Sequence, residues 1–142
     1  LEKISIRNNY KYFIMETFKK AKEIVSDKLF FIDGLASVRD AVQLMKEENV
    51  QALLIKKRNN ADANGIITVY DIIKGVIIPN KTLDEVSVYE IMTKPVLSIS
   101  AHLNVKYVPS LMFNYNVKVA PVEENGEYIG IIDYRQFLIT EL

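Results

Sequence analysis

The amino-acid sequence contains two copies of one hydrophobic pattern. Positions 29–55 align with positions 96–122, and positions 65–73 align with positions 130–138. The first copy has two extra residues in the turn between these blocks. Identical pairs include Val38 and Val105, Leu44 and Leu111, Met45 and Met112, Asn49 and Asn116, and Val50 and Val117. An internal repeat of this kind predicts two units of the same fold in tandem.

Each copy follows the order strand, helix, strand, strand, helix. The elements predicted in the first copy are strands over 29–32, 52–55 and 65–68, and helices that begin at Val38 and at Val69. Ser37 followed by Asp40 is typical of a helix N-terminus. In the second copy the turn before the last strand shortens to Glu124-Asn125-Gly126-Glu127, which predicts a tight hairpin.

Hydrophobic residues also recur at helical spacing before the first copy. Ile14, Phe18, Ala21 and Val25 fall on one face of an amphipathic helix predicted over residues 8–27. We expect this helix to pack on the repeats or on a partner subunit. The predicted organisation is an N-terminal helix (1–28), a first repeat (29–78), a linker with a short helix (79–95) and a second repeat (96–142).

The composition excludes several classes of function. The 18 Lys and Arg residues balance 18 Asp and Glu residues, so the net charge attracts neither nucleic acid nor an anionic membrane. The chain has no Cys and a single His, His102, which excludes thiolate chemistry and sites that need several histidines. No apolar run approaches the roughly 18 residues of a membrane span. We therefore predict a cytoplasmic protein with no metal site, no membrane segment and no nucleic-acid partner.

Three short motifs carry a resemblance to a known family. They are Gly-Ile-Ile-Thr-Val-Tyr-Asp at 65–71, Ile-Met-Thr-Lys-Pro at 91–95 and Ala-Pro-Val at 120–122. In this order, and on a doubled pattern, they resemble a tandem pair of cystathionine β-synthase (CBS) domains, and the likeness extends over about residues 29–140. The resemblance implies an α+β fold in which two strand–helix–strand–strand–helix repeats of α/β type are related by pseudo-twofold symmetry, in addition to the N-terminal helix.

The resemblance also implies a non-catalytic regulatory module. Members of the family bind adenosine-containing ligands, among them AMP, ADP, ATP and S-adenosylmethionine, in the cleft between the repeats, and relay a conformational change. We expect such a ligand here, no required cofactor, a homodimer of CBS pairs and an effector protein. The alternative is a structural module that dimerises or acts as a scaffold and binds no nucleotide. We find no catalytic motif in the chain.

Thr68 and Asp71 are the two polar residues of the first motif, at the start of a predicted helix. A carboxylate can accept hydrogen bonds from both hydroxyls of a ribose, and a hydroxyl beside free helix amides suits a phosphate. The resemblance assigns these roles to Asp71 and Thr68. The same residues are also typical of helix capping, with Thr68 as the N-cap. Both interpretations stay open at the level of sequence.

The second copy departs from this motif. Asp133 stands in the position of Thr68, and Gln136 stands in the position of Asp71. Gln136 can still bond a hydroxyl, but it has no charge, and Asp133 would repel a nearby phosphate. We therefore expect one competent nucleotide site per chain, with the second either degenerate or selective for an uncharged adenosyl group.

The remaining candidate residues come from the resemblance. For the adenine base it points to Ile32, Asp33, Gly34 and Leu35 after the first strand, and to Ala52 and Leu53 on the second. For the phosphates it points to Lys118, with Lys56, Arg58 and Lys94 as further candidates. Without a ligand, the first group would be core and turn residues, and the basic residues would be solvated surface charges. We expect His102 to be an exposed residue or a helix cap.

Overall fold

The described part of the chain consists of two units. The computed structural model of the protein describes residues 20–139. Lys28–Val96 form the first unit, and residues 20–27 together with 97–139 form the second. The first repeat and the linker predicted over 79–95 therefore share one unit.

The first unit is built on a three-stranded sheet. Its elements are β1 (Phe31–Ile32), α1 (Val38–Glu48), β2 (Ala52–Ile55), β3 (Gly65–Thr68), α2 (Val69–Ile72), which continues as a π-helical segment (Ile73–Ile77), and α3 (Val88–Ile91). The central strand β2 is parallel to β1 and antiparallel to β3. Ile55 pairs with Ile32 and with Gly65 at one end of the sheet, whereas Ala52 pairs with Thr68 at the other end.

The second unit repeats this arrangement. It consists of a 3₁₀ turn (Ala21–Glu23), β4 (Ile99–Ser100), a second 3₁₀ turn (Val105–Tyr107), α4 (Val108–Asn114), β5 (Val119–Glu124), β6 (Glu127–Asp133) and α5 (Gln136–Ile139). The strand β5 is parallel to β4 and antiparallel to β6. Each unit buries its own apolar cluster, centred on Leu53 and Ile67 in the first and on Ile99 and Ile132 in the second. The predicted α+β fold with two copies of one unit is confirmed.

Backbone geometry confirms the alignment of the two copies. Asn49 and Asn116, which coincide when the copies are aligned, both have left-handed backbones, with φ of 53° and 52°. Asn tolerates this conformation better than most residues. After each Asn, the next backbone N–H returns to the helix, from Val50 to the Met45 carbonyl and from Val117 to the Met112 carbonyl. The two helices therefore end in the same way.

The predicted caps and the predicted hairpin are present. The Ser37 hydroxyl accepts a hydrogen bond from the Asp40 backbone N–H at 3.1 Å, as expected for a helix N-terminus. The Asn125-Gly126 turn joins β5 to β6, and both of its residues have positive φ, of 54° and 82°. Two successive residues with positive φ are typical of a type I′ hairpin, whose twist matches that of the strands.

The predicted helix over residues 8–27 is wrong at its C-terminal end, and residues 8–19 lie outside the described residues. Residues 20–27 contain only the 3₁₀ turn, and several of their backbone groups bond to distant residues of the second unit. Ala21 N–H donates to the Leu103 carbonyl, and the Ser26 N–H and carbonyl both pair with Ile131. Backbone groups used in this way are not available for the i→i−4 bonds of a helix. No described helix is long and apolar enough to cross a membrane.

Candidate functional site

A cavity of about 580 Å³ opens in the first unit, at the end of the sheet where Ile55 pairs with Ile32 and Gly65. The loop after β1 contributes Asp33, Gly34 and Leu35 to its wall. The turn after β2, the helix α3 and the linker contribute the rest, among them Lys56, Lys57, Arg58, Asp62, Tyr89, Met92 and Lys94. Three of the residues predicted for the base, Asp33, Gly34 and Leu35, thus line the same cavity as three of the predicted cations.

The carboxylate of Asp62 organises the basic side chains on one wall of this cavity. Only 7% of the Asp62 side chain is exposed. It accepts hydrogen bonds from the Arg58 guanidinium at 3.1 Å and from the Arg58 backbone N–H at 3.0 Å, and the Lys94 Nζ approaches it at 2.5 Å. The bond from the Arg58 guanidinium, followed by those from Lys94 and from the Arg58 backbone, holds the pKa of Asp62 well below its usual range. Asp62 is therefore ionised at any physiological pH.

Backbone hydrogen bonds bring the helix α3 to the cavity. Val88 and Tyr89 donate their N–H groups to the carbonyls of Ala36 and Gly34. The following residues run beside β3, where Ile66 and Thr93 exchange two backbone hydrogen bonds. Gly65 permits this approach, because a Cβ there would meet Met92 Sδ at 2.9 Å and the Thr93 carbonyl at 3.1 Å.

Thr68 and Asp71 lie at the other end of β3 and do not line the cavity. The two side chains form a reciprocal capping box at the start of α2. Asp71 Oδ2 accepts hydrogen bonds from the Thr68 N–H at 2.8 Å and from the Thr68 hydroxyl at 3.0 Å, and the hydroxyl accepts one from the Asp71 N–H. The capping role is thus confirmed. Asp71 Oδ1 accepts no hydrogen bond from residues 20–139, so one carboxylate oxygen is available to a ligand.

The second unit has different side chains at the positions that correspond to Thr68 and Asp71. Gln136 Oε1 accepts the Asp133 N–H at 2.6 Å, as Asp71 does for Thr68. The Asp133 carboxylate is bound by the Arg135 guanidinium, with Nη2 at 2.8 Å from Oδ2. The hydrogen bond to Asp133 raises the pKa of Arg135. Arg135 offsets the charge of Asp133, which reduces the repulsion of phosphate that the sequence predicts for this position.

The remaining predicted residues are placed as follows. The Ile32, Ala52 and Leu53 side chains are buried in the first unit, so only their backbone groups could meet a ligand. Lys118 is exposed and directly precedes β5 in the second unit. His102 is exposed, as predicted, and its Nε2 lies 3.3 Å from the Glu124 carboxylate. Residues 20–139 contain no group of three or more acidic or histidine side chains arranged to hold a metal ion.

Comparison with known proteins places this geometry in a family. The family model for the CBS domain matches residues 21–78 and again residues 88–140. The chain belongs to the CBS domain family. The first match contains the first sheet and the second match contains the second sheet, so the protein contains a tandem CBS pair.

Solved CBS structures resemble the whole pair. A hexameric CBS-CP12 protein from bloom-forming cyanobacteria has a TM-score of 0.82 and 34% identity, over 86% of this chain and 70% of that protein. A CBS domain pair in complex with 5′-methylthioadenosine and S-adenosyl-L-methionine has a TM-score of 0.69 and 25% identity, over 85% of this chain and 98% of that pair. An uncharacterised protein of Methanopyrus kandleri is 30% identical over 98 residues, and the matched region spans 50% of its length. The chain therefore covers about half of that relative.

Sequence reasoning missed several residues of the CBS cavity. Lys57, Asp62, Tyr89 and Met92 were not among the candidates, although all four line the cavity. Asp62 carries a weak signal in the sequence, since it lies four residues after Arg58. Tyr89 and Met92 carry none, because their place depends on how the linker returns to the sheet.

Proposed function

We propose that this CBS pair is a non-catalytic regulatory module that binds an adenosine-containing ligand. The observation that carries the proposal is the cavity of about 580 Å³ in the first unit. Its size lies within the range of roughly 300–1,000 Å³ that is typical of small-molecule sites. Leu35, Ile55 and Met92 offer apolar surface to a flat base, and the charged groups lie beside it. The solved CBS pair that holds two adenosyl ligands supports the same choice of ligand class.

We propose a second, separate ligand position at Asp71, where the carboxylate would bind ribose hydroxyls. Its Oδ2 is committed to the capping box, whereas Oδ1 is available as an acceptor. The capping box of Thr68 and Asp71 lies at one end of β3 and the cavity lies at the other end. The two ends are about 10 Å apart for a strand of this length. Asp71 and the cavity are therefore separate places, and variants at each report on them independently.

A ligand regulates such a module only if it binds one conformation better than another. The free energy available for signalling equals that difference in binding free energy. The conformational change would then be relayed to an effector protein or to another part of a longer polypeptide.

The proposal is tested by thermal unfolding of the protein with AMP, ADP, ATP, S-adenosylmethionine and adenosine. A ligand at 100 times its Kd stabilises the native state by about 2.7 kcal/mol, which raises the melting temperature by several degrees in a domain of this size. We expect such a rise with at least one of these ligands. If none of them changes the melting temperature at millimolar concentration, the proposal is wrong.

Asp71→Ala tests the ribose assignment. The substitution also removes the hydrogen bonds that Asp71 accepts in the capping box. It therefore lowers the free energy of unfolding of the ligand-free protein by about 1 kcal/mol. Glu85→Ala is the matched control, because Thr82 and Glu85 form the same reciprocal bonds, at 3.0 Å and 3.3 Å, away from both places. We expect the ligand-induced rise to be smaller in Asp71→Ala than in Glu85→Ala, because Asp71→Ala removes one ligand position and leaves the cavity intact. An equal rise in both variants would remove Asp71 from the ligand site.

A structural role is the second candidate, and one surface favours it. The outward face of α2 and its π-helical continuation exposes Val69, Tyr70, Ile73, Ile77 and Ile78. The opposite face buries Ile72 and Val76 in the core. An exposed apolar patch of this kind is typical of a protein interface. We propose that a second copy of the chain covers it, which gives a homodimer of CBS pairs with or without a nucleotide.

A further inference from the structure

We propose that the cavity of the first unit is an anion site, which selects a phosphate-bearing adenosyl ligand over the sulfonium ligand S-adenosylmethionine. The inference rests on the proposed function for the adenosyl part and on the charges of the cavity wall for the phosphate part. The wall carries four basic side chains, Lys56, Lys57, Arg58 and Lys94, and two acidic ones, Asp33 and Asp62. The lining thus has two excess positive charges, although the chain as a whole is neutral.

The positive charges are unevenly neutralised. Asp62 holds Arg58 and Lys94, whereas Lys56 and Lys57 form no ion pair with any residue between 20 and 139. An anion at this wall would meet two lysines that have no ion-pair partner in the described part of the chain, and two cations held in place by Asp62. A sulfonium group would meet the same excess of positive charge, and like charges repel. The wall therefore favours a phosphate and disfavours S-adenosylmethionine.

The turn that presents these cations is ordered by its own hydrogen bonds. Asp62 accepts from both the backbone and the side chain of Arg58, and Asn59 Oδ1 accepts the Ala61 N–H at 2.9 Å. Asn64 closes the turn by donating to the Ile55 carbonyl at 2.9 Å. A turn held in this way loses less conformational entropy when a ligand binds than a free loop would. Asp62 is therefore a positioning residue, because it fixes Arg58 and Lys94 on the wall.

The second unit has the opposite charge at the corresponding positions. When the two copies are aligned, Lys56 and Lys57 correspond to Glu123 and Glu124, which lie on the strand β5. Glu124 is paired with Lys22 and His102 within the second unit. The two extra residues of the first repeat lie in the turn that carries the cations. The positive charge of this wall is thus not repeated at the corresponding positions of the second unit.

The test is isothermal titration calorimetry of the intact protein with ATP, AMP, adenosine, S-adenosylmethionine and inorganic tripolyphosphate. The variants are Lys57→Gln and Lys94→Gln, and the control is Lys81→Gln, an exposed lysine of the same unit that does not line the cavity. We expect ATP to bind at least about tenfold more tightly than S-adenosylmethionine. Each cavity variant should weaken the binding of ATP and of tripolyphosphate about three- to tenfold and leave the affinity for adenosine unchanged. The control should bind all of these compounds as the wild type does.

The outcomes separate this inference from the proposed function. If S-adenosylmethionine or adenosine binds as tightly as ATP and the cavity variants change nothing, the anion site is overturned and the proposed function stands. If tripolyphosphate binds through Lys57 and Lys94 but no adenosyl compound binds, the anion site stands and the proposed function fails. If none of the five compounds binds, both are overturned.

Discussion

Two carboxylates of the first unit show how the same group serves different ends. Asp62 is almost fully covered and accepts from two cations, so its charge is committed to the turn that borders the cavity. Asp71 is half-buried and uses one oxygen to cap a helix, so its other oxygen can meet a ligand. The chemistry available to each residue follows from its partners and not from its type.

Asp62→Asn is expected to change how stability depends on pH. The pKa of Asp62 is lowered in the folded protein by Arg58 and Lys94, so the carboxylate stabilises the fold fully above its unfolded pKa of about 3.9. This contribution is lost as the pH falls from there toward the lower folded pKa. The variant should therefore be less stable than the wild type at pH 7, and the difference should shrink below about pH 4.

Urea unfolding of the two proteins between pH 3 and pH 7 measures this difference. Asp40→Asn is the control, because the Asp40 side chain lies on the exposed start of α1. A difference between Asp62→Asn and the wild type that stays constant over the whole range would contradict the prediction.

At the scale of elements, β6 joins the N-terminal part of the described chain to the second sheet. The Ser26 backbone pairs with Ile131 through two hydrogen bonds of 2.9 Å, next to Gly130. A Cβ at position 130 would collide with the Ser26 carbonyl oxygen and crowd Val25. The absence of a side chain at Gly130 is thus what permits the two segments to meet.

Gly130→Ala is expected to lower the free energy of unfolding by about 1–3 kcal/mol, the usual cost of forcing extra atoms into a packed site. Gly34→Ala is the control, because a Cβ there would meet its nearest atoms, in Ile55 and Tyr89, at ordinary contact distances of 3.4 Å and 3.5 Å. Urea unfolding followed by circular dichroism measures both variants. Equal midpoints for Gly130→Ala and the wild type would show that the segment around Ser26 does not pack on β6 as described.

At the scale of the whole molecule, the exposed face of α2 is an apolar surface that the packing of the first unit does not cover. Ile73 lies in the middle of this face and is 45% exposed. Burying the exposed part of this side chain stabilises an interface by roughly 1 kcal/mol, and a second copy supplies the same side chain again under twofold symmetry. The face is therefore the expected contact of the homodimer.

Ile73→Glu is expected to convert the dimer into monomers, because it places two carboxylates in an apolar contact. Sedimentation velocity of the wild type, of Ile73→Glu and of the control Gln43→Glu, an exposed residue of α1, measures the masses. The wild type and the control should sediment as dimers. A monomeric wild type, or an Ile73→Glu variant that stays dimeric, would argue against this face as the interface.

Within the two repeats, local periodicity and turn residues were sufficient to predict the elements. The two repeats, their strands, the caps at Ser37 and Thr68 and the hairpin at Asn125-Gly126 were predicted and are present. These features follow from spacing of 2.0 or 3.6 residues and from residues that suit one turn, which a chain carries wherever it folds. The repeat supplied a second, independent view of each element, because an error in one copy would conflict with the other.

Hydrophobic periodicity did not predict the contacts between distant parts of the chain. Residues 20–27 leave the predicted helix because their backbone groups find partners on Ala101, Leu103 and Ile131, and this tertiary gain exceeds their helical propensity. The cavity is a further example, because Asp33 and Lys94 both line it although they lie far apart in the sequence, whereas Asp71 does not line it. Which side chains share a site depends on strand register and on the path of the linker, and neither leaves a periodic trace in the sequence.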